Sequence, residues 1–494
     1  MFGVSLSLRQ GSLAGASLAL AATVASATSA ASAARRTYTT GSTRPLRTAV
    51  LDPFQLSGSA PLGFELTRKA GAQYVRLVVP WREIAPVTPS AGFDASAPDS
   101  PGYSWDTLDA TVEAAVRAGL TPILDIALTP SWAYSQLPSG VDEGTPSSAA
   151  LRQFAHALAI HFEGASDLPA VHVYEVWNEP NLSLELAPAD PSSYRAMVNA
   201  VAESVHAVDR ANLVVAGELD PFGHPKSTRQ KWYSAYPLAF MRSMLCLSKG
   251  PHPHPTCRNP VHFDVWAHHP YSFGGAFRKA KRSDNVELGD LPKMRSLLRA
   301  GVRLHHVVSS HTVQFWVTEF GWDTNPPRRG AASVALASRW TAESMYQAWR
   351  CGVSLFTWFD LQDLAGTSPY KSGLYFYAAS LSAARPKPVL TAFRFPFVAY
   401  LHRRTVSVWG RDATSRKLRV TIQRRHGKRG TWRSVAYVIA NKHGIYRALL
   451  KLKASKKDWL RAVASGSGKS LAFSLKAPRS PHIGAWGGVP PNRR

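Results

Sequence analysis

Cysteine is nearly absent: the 494 residues contain three. None lies in a Cys-x-x-Cys pair and no His-x-x-x-His spacing accompanies them, which argues against a zinc module and against any resident metal, His252 and His254 included. Cys246 and Cys257 bracket the loop Gly250-Pro-His-Pro-His-Pro-Thr256, a spacing suited to a local disulfide in an oxidising compartment. Cys351, just ahead of an apolar run, is expected to be a buried free thiol. No segment after the N-terminus reaches the length of a membrane span, and no internal repeat suggests a solenoid. No Gly-x-Gly-x-x-Gly follows the first strand, so a dinucleotide-binding sheet is disfavoured and no cofactor is implied. Acidic residues are almost missing from one end: residues 401–494 hold only Asp412 and Asp458.

Against those two stand 23 Lys and Arg, so the formal net charge of +26 belongs mainly to this last fifth of the chain. The preceding 400 residues are close to neutral, with 35 basic and 30 acidic side chains. Such a segment attracts polyanions. Its charges are scattered along strands without a recognisable nucleic-acid motif, so an anionic cell-wall polymer, an acidic polysaccharide or lipid headgroups fit better than specific nucleic acid. At the other end, Arg9 precedes the weakly apolar run Gly11–Ala27, with Ala-x-Ala options at Ala25–Ala27 and Ala31–Ala33. This pattern predicts a signal peptide over 1–34, or a retained N-terminal anchor, and a secreted or cell-surface protein.

From residue 47 onward, apolar strands alternate with amphipathic helices. Strands are expected at Arg47–Asp52, Tyr74–Val79, Thr121–Ala127, Val171–Trp177, Leu213–Gly217, Phe263–Ala267, Phe315–Thr318 and Ser354–Trp358, each followed by a helical pattern, the last over Val389–His402. Near-continuous apolar strands argue for a parallel sheet, and eight such units close a (β/α)8 TIM barrel over residues 45–403. Beyond it the period changes to two in six short segments between Thr405 and Leu475, which predicts a small basic β-sandwich over 404–480. Its alternate positions Arg424, Arg433, Arg447 and Lys451 are assigned to a solvated face. Residues 481–494 read as a disordered tail.

In a barrel the chemistry lies at the carboxyl ends of the strands. Residues collected there are Arg76, Trp132, Asn178, Glu179, Glu218, His268, His269, Tyr271, Glu319, Trp358 and Asp360. Val171-His-Val-Tyr-Glu-Val-Trp-Asn-Glu-Pro180 is the most pointed of these stretches. Pro180 cannot continue a central ladder, so the strand is expected to stop at Glu179, with a carboxylate facing a ligand. Glu319, in Phe315-Trp-Val-Thr-Glu-Phe-Gly-Trp322, comes three units later. Two carboxyls of divergent pKa, one protonated and one ionised, are what cleavage of a glycosidic bond requires. Trp177 and Pro180 should favour the protonated form of Glu179, while Arg76 and Tyr271 should hold Glu319 ionised. Trp132, Trp322 and Trp358 would give flat faces for sugar rings, with Asn178 and His268 placed for hydroxyls. Asp125 and Glu175, inside apolar strands, are expected in hydrogen-bonded structural roles.

Trp177-Asn-Glu-Pro-Asn181 resembles the acid/base motif of clan A glycoside hydrolases, family 39 and cellulase-like enzymes in particular, and Thr318-Glu-Phe-Gly321 is similar to their nucleophile strand. Trp81-Arg-Glu-Ile-Ala-Pro86, Thr129-Pro-Ser-Trp-Ala133 and His268-His-Pro-Tyr271 follow the same pattern in order. The resemblance implies a retaining hydrolase working by double displacement, Glu179 the acid/base and Glu319 the nucleophile, their carboxyls ~5–5.5 Å apart. It carries over no sugar or linkage. A transglycosylase with the same pair and a non-catalytic polysaccharide-binding protein are the alternatives.

Overall fold

A computed structural model describes residues 36–478, apart from 59, 166, 226–231 and 369, together with 483 and 484. The expected signal segment over 1–34 lies outside the described residues, as does the tail over 481–494 apart from Ile483 and Gly484. At that point the chain is tied back, Gly274 N donating to Ile483 O at 2.8 Å.

A short strand β1 (Thr37–Thr39) precedes the eight barrel strands β2 (Arg47–Leu51), β3 (Tyr74–Pro80), β4 (Thr121–Ala127), β5 (Val173–Val176), β6 (Leu213–Leu219), β7 (Val265–His268), β8 (Gln314–Val317) and β9 (Leu355–Phe359). These eight are parallel, each paired with its sequence neighbour, and β9 closes the ring onto β2 through Leu355↔Arg47 to Phe359↔Leu51. The fold is the TIM barrel that the alternation implies. Besides a single helical turn at Trp81–Ile84, the helices that follow the strands are α1 (Pro61–Lys69), α2 (Asp106–Arg117), α3 (Ser148–His161), α4 (Pro191–Val208), α5 (Pro237–Met244), α6 (Leu291–Arg303), α7 (Val334–Arg350) and α8 (Pro388–Arg394). Their starts follow ordinary capping chemistry: Ser147, Asp190 and Ser333 each accept a hydrogen bond from a backbone N–H of the first turn.

Two expected boundaries are corrected. The strand of the Asn-Glu-Pro motif ends at Val176, not at Glu179: Trp177 N still donates to Ile126 O at 3.1 Å, but its φ of 72° turns the chain out of the strand. The last expected helix, Val389–His402, is helical only to Arg394. Pro396 disfavours helix in the residue before it, and Phe397–Leu401 continues as a strand, β10. It pairs antiparallel with β11 (Val406–Arg411), which pairs with β14 (Ile445–Leu450). The facing sheet runs β1, β13 (Arg433–Ile439), β12 (Arg419–His426), β15 (Asp458–Ala464) and β16 (Gly468–Lys469), with β17 (Phe473–Ser474) also on β15. The all-β region thus recruits a strand from each flank of the barrel. It is fastened to the barrel by buried Arg411, whose Nη2 donates to Gly71 O at 3.4 Å and Gln73 Oε1 at 3.3 Å. Cys246 and Cys257 form a disulfide and Cys351 is free and buried, as their spacing suggests. No described helix is long and apolar enough to cross a membrane.

Candidate active site

Inside the barrel, side chains point inward at every second position. The lower layer is apolar: Ala49, Ile123, Val173, Val215, Val265, Trp316 and Leu355 pack together, with Tyr74 against them. Two residues further along three of these strands the inward positions become Arg76, Asp125 and Glu175. The change from apolar to charged within one strand step marks where the structural core stops.

Arg76 organises what lies above. Its Nε donates to Glu175 at 2.6 Å, its Nη2 to Glu218 at 3.4 Å and its Nη1 to Glu319 at 3.5 Å, and Nη2 forms an ion pair with Asp125 at 3.0 Å. Nη2 also donates to Asn178 Oδ1 at 3.2 Å. Glu218 reaches the cluster because β6 kinks: Gly217 and Glu218 have φ of 113° and 52°. A Cβ at residue 217 would stand 2.4 Å from Ala267 O, so only glycine fits. One buried cation cannot neutralise four carboxylates. Burial pushes Asp125 up to about 7, with Arg76 opposing and Glu175 adding. Burial and the charges of Glu175 and Asp125 push Glu218 well above the carboxylate range. Ligand oxygens of Asp125, Glu175 and Glu218 lie within 4.8 Å of one another, close enough to hold a cation. The guanidinium of Arg76 is ion-paired with all three. Asp125 and Glu175 therefore have the structural role expected of them, and Glu218 joins them instead of lining the cleft.

Glu319 and Glu179 stand above this cluster in different surroundings. Glu319, two residues past β8, accepts from Tyr271 Oη at 2.7 Å as well as from Arg76, and its side chain is 18% exposed. Burial raises its pKa, and Arg76 and the tyrosine hydroxyl pull it back. Glu179 is three residues past β5, 16% exposed, at φ 40°. Positive φ at Trp177 and Glu179 costs about 1–3 kcal/mol each. The surrounding contacts hold this conformation. Trp177 Nε1 donates to Glu185 O at 2.7 Å, and buried Asn181 donates to Asp220 O at 3.1 Å and Ala235 O at 2.9 Å. Burial raises the Glu179 pKa well above the usual range, and the charges of Asp220, Glu319 and Glu185 raise it further. Negative neighbours thus reinforce the desolvation expected from Trp177 and Pro180.

The partner of Glu179 is His269, whose Nδ1 lies 3.0 Å from Oε1. Burial and the Arg76 cation push its pKa well below the ordinary histidine value, which keeps the ring neutral. His268, the residue expected to meet sugar hydroxyls, points the other way: fully buried, it sets Nε2 2.8 Å from Val286 O, and its pKa falls to about 4 through burial. The parity of β7 explains the exchange. Val265 and Ala267 face the barrel interior, so His269 follows them inward and His268 turns to the outer layer.

Burial also removes two expected sugar platforms. Leu355 faces the interior of β9, so Trp358 faces outward, fully buried near Phe393, with Nε1 donating to Ser372 O at 2.8 Å. Trp322 is buried against Phe320 and Trp340 and donates to Ser344. Trp132 keeps part of its surface open, its ring edge-on to Trp81 and Phe93 and its Nε1 donating to Pro86 O. Asn178 and Tyr271 lie among the carboxylates as expected. Arg76 does too, but beneath them and 2% exposed, bonded to Glu319 and Asn178. Tyr370, not anticipated, is 38% exposed, and the charges of Glu319, Glu179 and Glu185 add to burial in raising its phenol pKa. It stands edge-on to Phe359, the residue whose parity does point inward.

Residues 58–346 match the cellulase family, glycosyl hydrolase family 5. Among solved structures, a family 39 glycoside hydrolase from the gut symbiont Bacteroides cellulosilyticus WH2 aligns with a TM-score of 0.51 at 17% identity, over 82% of this chain and 81% of that one. A family 39 enzyme from Xanthomonas axonopodis pv. citri gives 0.50 at 15%, over 87% and 97%. At these identities the likeness is one of fold. No curated protein matches the chain.

Proposed function

The chain belongs to the cellulase family, glycosyl hydrolase family 5, and is a glycoside hydrolase; we propose that Glu179 is its acid/base and Glu319 its nucleophile, acting on an O-glycosidic bond in a poly- or oligosaccharide. The family implies retention of anomeric configuration. The observation that carries the assignment is the asymmetry of the two carboxyls. Glu319 faces a cation and a hydroxyl donor, which favour the ionised form needed for attack. Glu179 is surrounded by Asp220, Glu185 and Glu319, which favour the protonated form needed to donate to the leaving oxygen.

The steps follow from these environments. Glu319 attacks the anomeric carbon while Glu179 gives its proton to the departing oxygen, forming a glycosyl ester on Glu319. With its proton gone, Glu179 takes one from water, and that water displaces Glu319 from the sugar. His269 holds the Glu179 carboxyl in place through both steps. Asn178, anchored by Arg76, offers its amide near the reacting sugar, and the open faces of Trp132 and Tyr370 offer rings to pack on.

We further propose export to the cell surface or exterior. The Cys246–Cys257 disulfide supports it, since such bonds persist in oxidising compartments, and so does the signal-like composition of residues 1–34.

The test is a hydrolysis screen against a glycan library with the wild type beside Glu319→Ala. The wild type should cleave at least one glycan and Glu319→Ala none. Azide should then partly rescue the variant and yield a glycosyl azide of inverted configuration. Full activity of Glu319→Ala or of Glu179→Gln would defeat the assignment.

A further inference from the structure

The outer face of the larger C-terminal sheet carries arginines that no carboxylate among the described residues neutralises. On β12 and β15 the inward side chains Val420, Ile422, Leu460 and Ala462 are fully buried. The intervening positions point to solvent, Arg419 and Arg425 on β12 and Trp459 and Arg461 on β15. The Arg461 guanidinium carbon lies 4.2 Å from the Trp432 ring centre, and that of Arg425 lies 4.7 Å from the same ring and 5.6 Å from Trp459. Arg419 sits 5.0 Å from the ring of Tyr437, on the neighbouring strand β13. Register places Arg425 opposite Trp459 and Gln423 opposite Arg461, so the two central arginines are diagonal neighbours on adjacent strands.

These cations have no carboxylate partner among the described residues. Asp412 is buried, and Asp458 is taken by His426, Arg424 and Ser455. Arg461 has one neutral acceptor, Gln423 Oε1 at 2.9 Å, and Arg425 Nε is buried with no hydrogen-bond partner. Burial and the neighbouring Arg425 cation lower the pKa of Arg461. Two cations stacked on one indole with donors unfilled form a preorganised receptor for anions, because the ring holds each guanidinium in a fixed plane.

We propose that this face of β12, β13 and β15 binds an acidic polysaccharide, with Arg425 and Arg461 taking carboxylates of the chain and Arg419 extending the track along β12. Arg419 is six residues from Arg425, roughly 20 Å along the strand, a reach that suits a linear polymer. The aromatic faces are already covered by guanidinium groups, which argues against a platform for stacking bases. The sandwich has one strongly exposed large apolar side chain, Leu449, on the opposite sheet, which argues against membrane insertion. The choice of a sugar polymer rests on the proposal that the barrel acts on polysaccharide; the anion site itself does not.

The test uses the full chain in affinity electrophoresis through gels containing polygalacturonate, with neutral dextran as control, and parallel binding to single-stranded DNA and to mixed phosphatidylcholine and phosphatidylglycerol vesicles. The wild type should be retarded by polygalacturonate and not by dextran. Combined Arg425→Gln and Arg461→Gln should weaken that binding about tenfold, two exposed ion pairs being lost, and leave hydrolysis of small soluble glycosides unchanged. The Lys pair at these positions should fall in between, and carries the test if the Gln pair does not fold. Equal retardation by dextran, unchanged binding in the double variant, or a loss confined to DNA or vesicles would overturn the proposal. Hydrolysis of no glycan alongside intact, arginine-dependent polygalacturonate binding would instead sink the catalytic reading and leave this one standing.

Discussion

Replacing Tyr271 by Phe should move the acidic limb of the pH–activity profile upward while the fold stays intact. The change deletes one hydroxyl, 2.7 Å from Glu319 Oε1, and preserves a ring stacked on Phe320 at 5.8 Å between centres. That hydrogen bond favours the ionised carboxylate, so its loss raises the Glu319 pKa. Hydrogen bonds to charged groups contribute about 1.5–3 kcal/mol, and one pKa unit corresponds to about 1.4 kcal/mol. With the Glu319 side chain 18% exposed, water recovers part of the loss, so the lower figure applies and the shift is about one unit. The nucleophile must be ionised. Activity below the limb therefore falls about tenfold at fixed pH, and the basic limb, set by Glu179, stays where it was. The assay is kcat/KM against pH for both proteins, which reports the groups of the free enzyme. An unmoved acidic limb, or one displaced to lower pH, would refute the assignment of Glu319 as the group that must be ionised.

Other outcomes follow from the same geometry. Glu179→Gln should lose about 10²–10⁴-fold in kcat on glycosides with poor leaving groups and far less on activated aryl glycosides, which need no protonation. His269→Ala should lower kcat more than it raises KM and shift the basic limb, since the ring positions Glu179. Arg76→Met should cost about 3–5 kcal/mol of stability by stranding buried carboxylates, seen as a large fall in Tm or loss of soluble protein. Asp125, at about 7 in the fold against about 3.9 unfolded, retains a proton that the unfolded chain releases. Its contribution to stability is present at low pH and fades as pH rises through about 7. Thermal melts of the wild type should accordingly decline between these values more steeply than those of Asp125→Asn.

Much of this was legible in the sequence because period two and period 3.6 alternate cleanly across residues 47–394. All eight strands and the disulfide could be read from spacing. Glu179 and Glu319 stood out because each follows an apolar strand at a point where no core needs a carboxylate. The misplacements of His268 and Trp358 share one cause. Being near a strand end does not amount to facing the cleft: the side on which a residue emerges is set by parity within the strand. Counting inward from Val265 and Ala267 selects His269 over His268, and counting from Leu355 selects Phe359 over Trp358. That count needed only the sequence and one known inward residue. Tyr370 and Glu185 were out of reach, since loops far from any strand bring them to the site. The break at Pro396 was visible, and the apolar run on both sides of it hid the switch from helix to strand.

The central claim is that Glu319 forms a covalent bond to the sugar. Incubation with a panel of activated 2-deoxy-2-fluoro glycosides, followed by peptide mass analysis, tests it directly. The account predicts time-dependent inactivation and one glycosyl adduct, on Glu319 in the peptide around Phe315–Trp322, absent in Glu319→Ala. An adduct on another carboxylate, or turnover of a true substrate to the inverted anomer with no adduct formed, would contradict it.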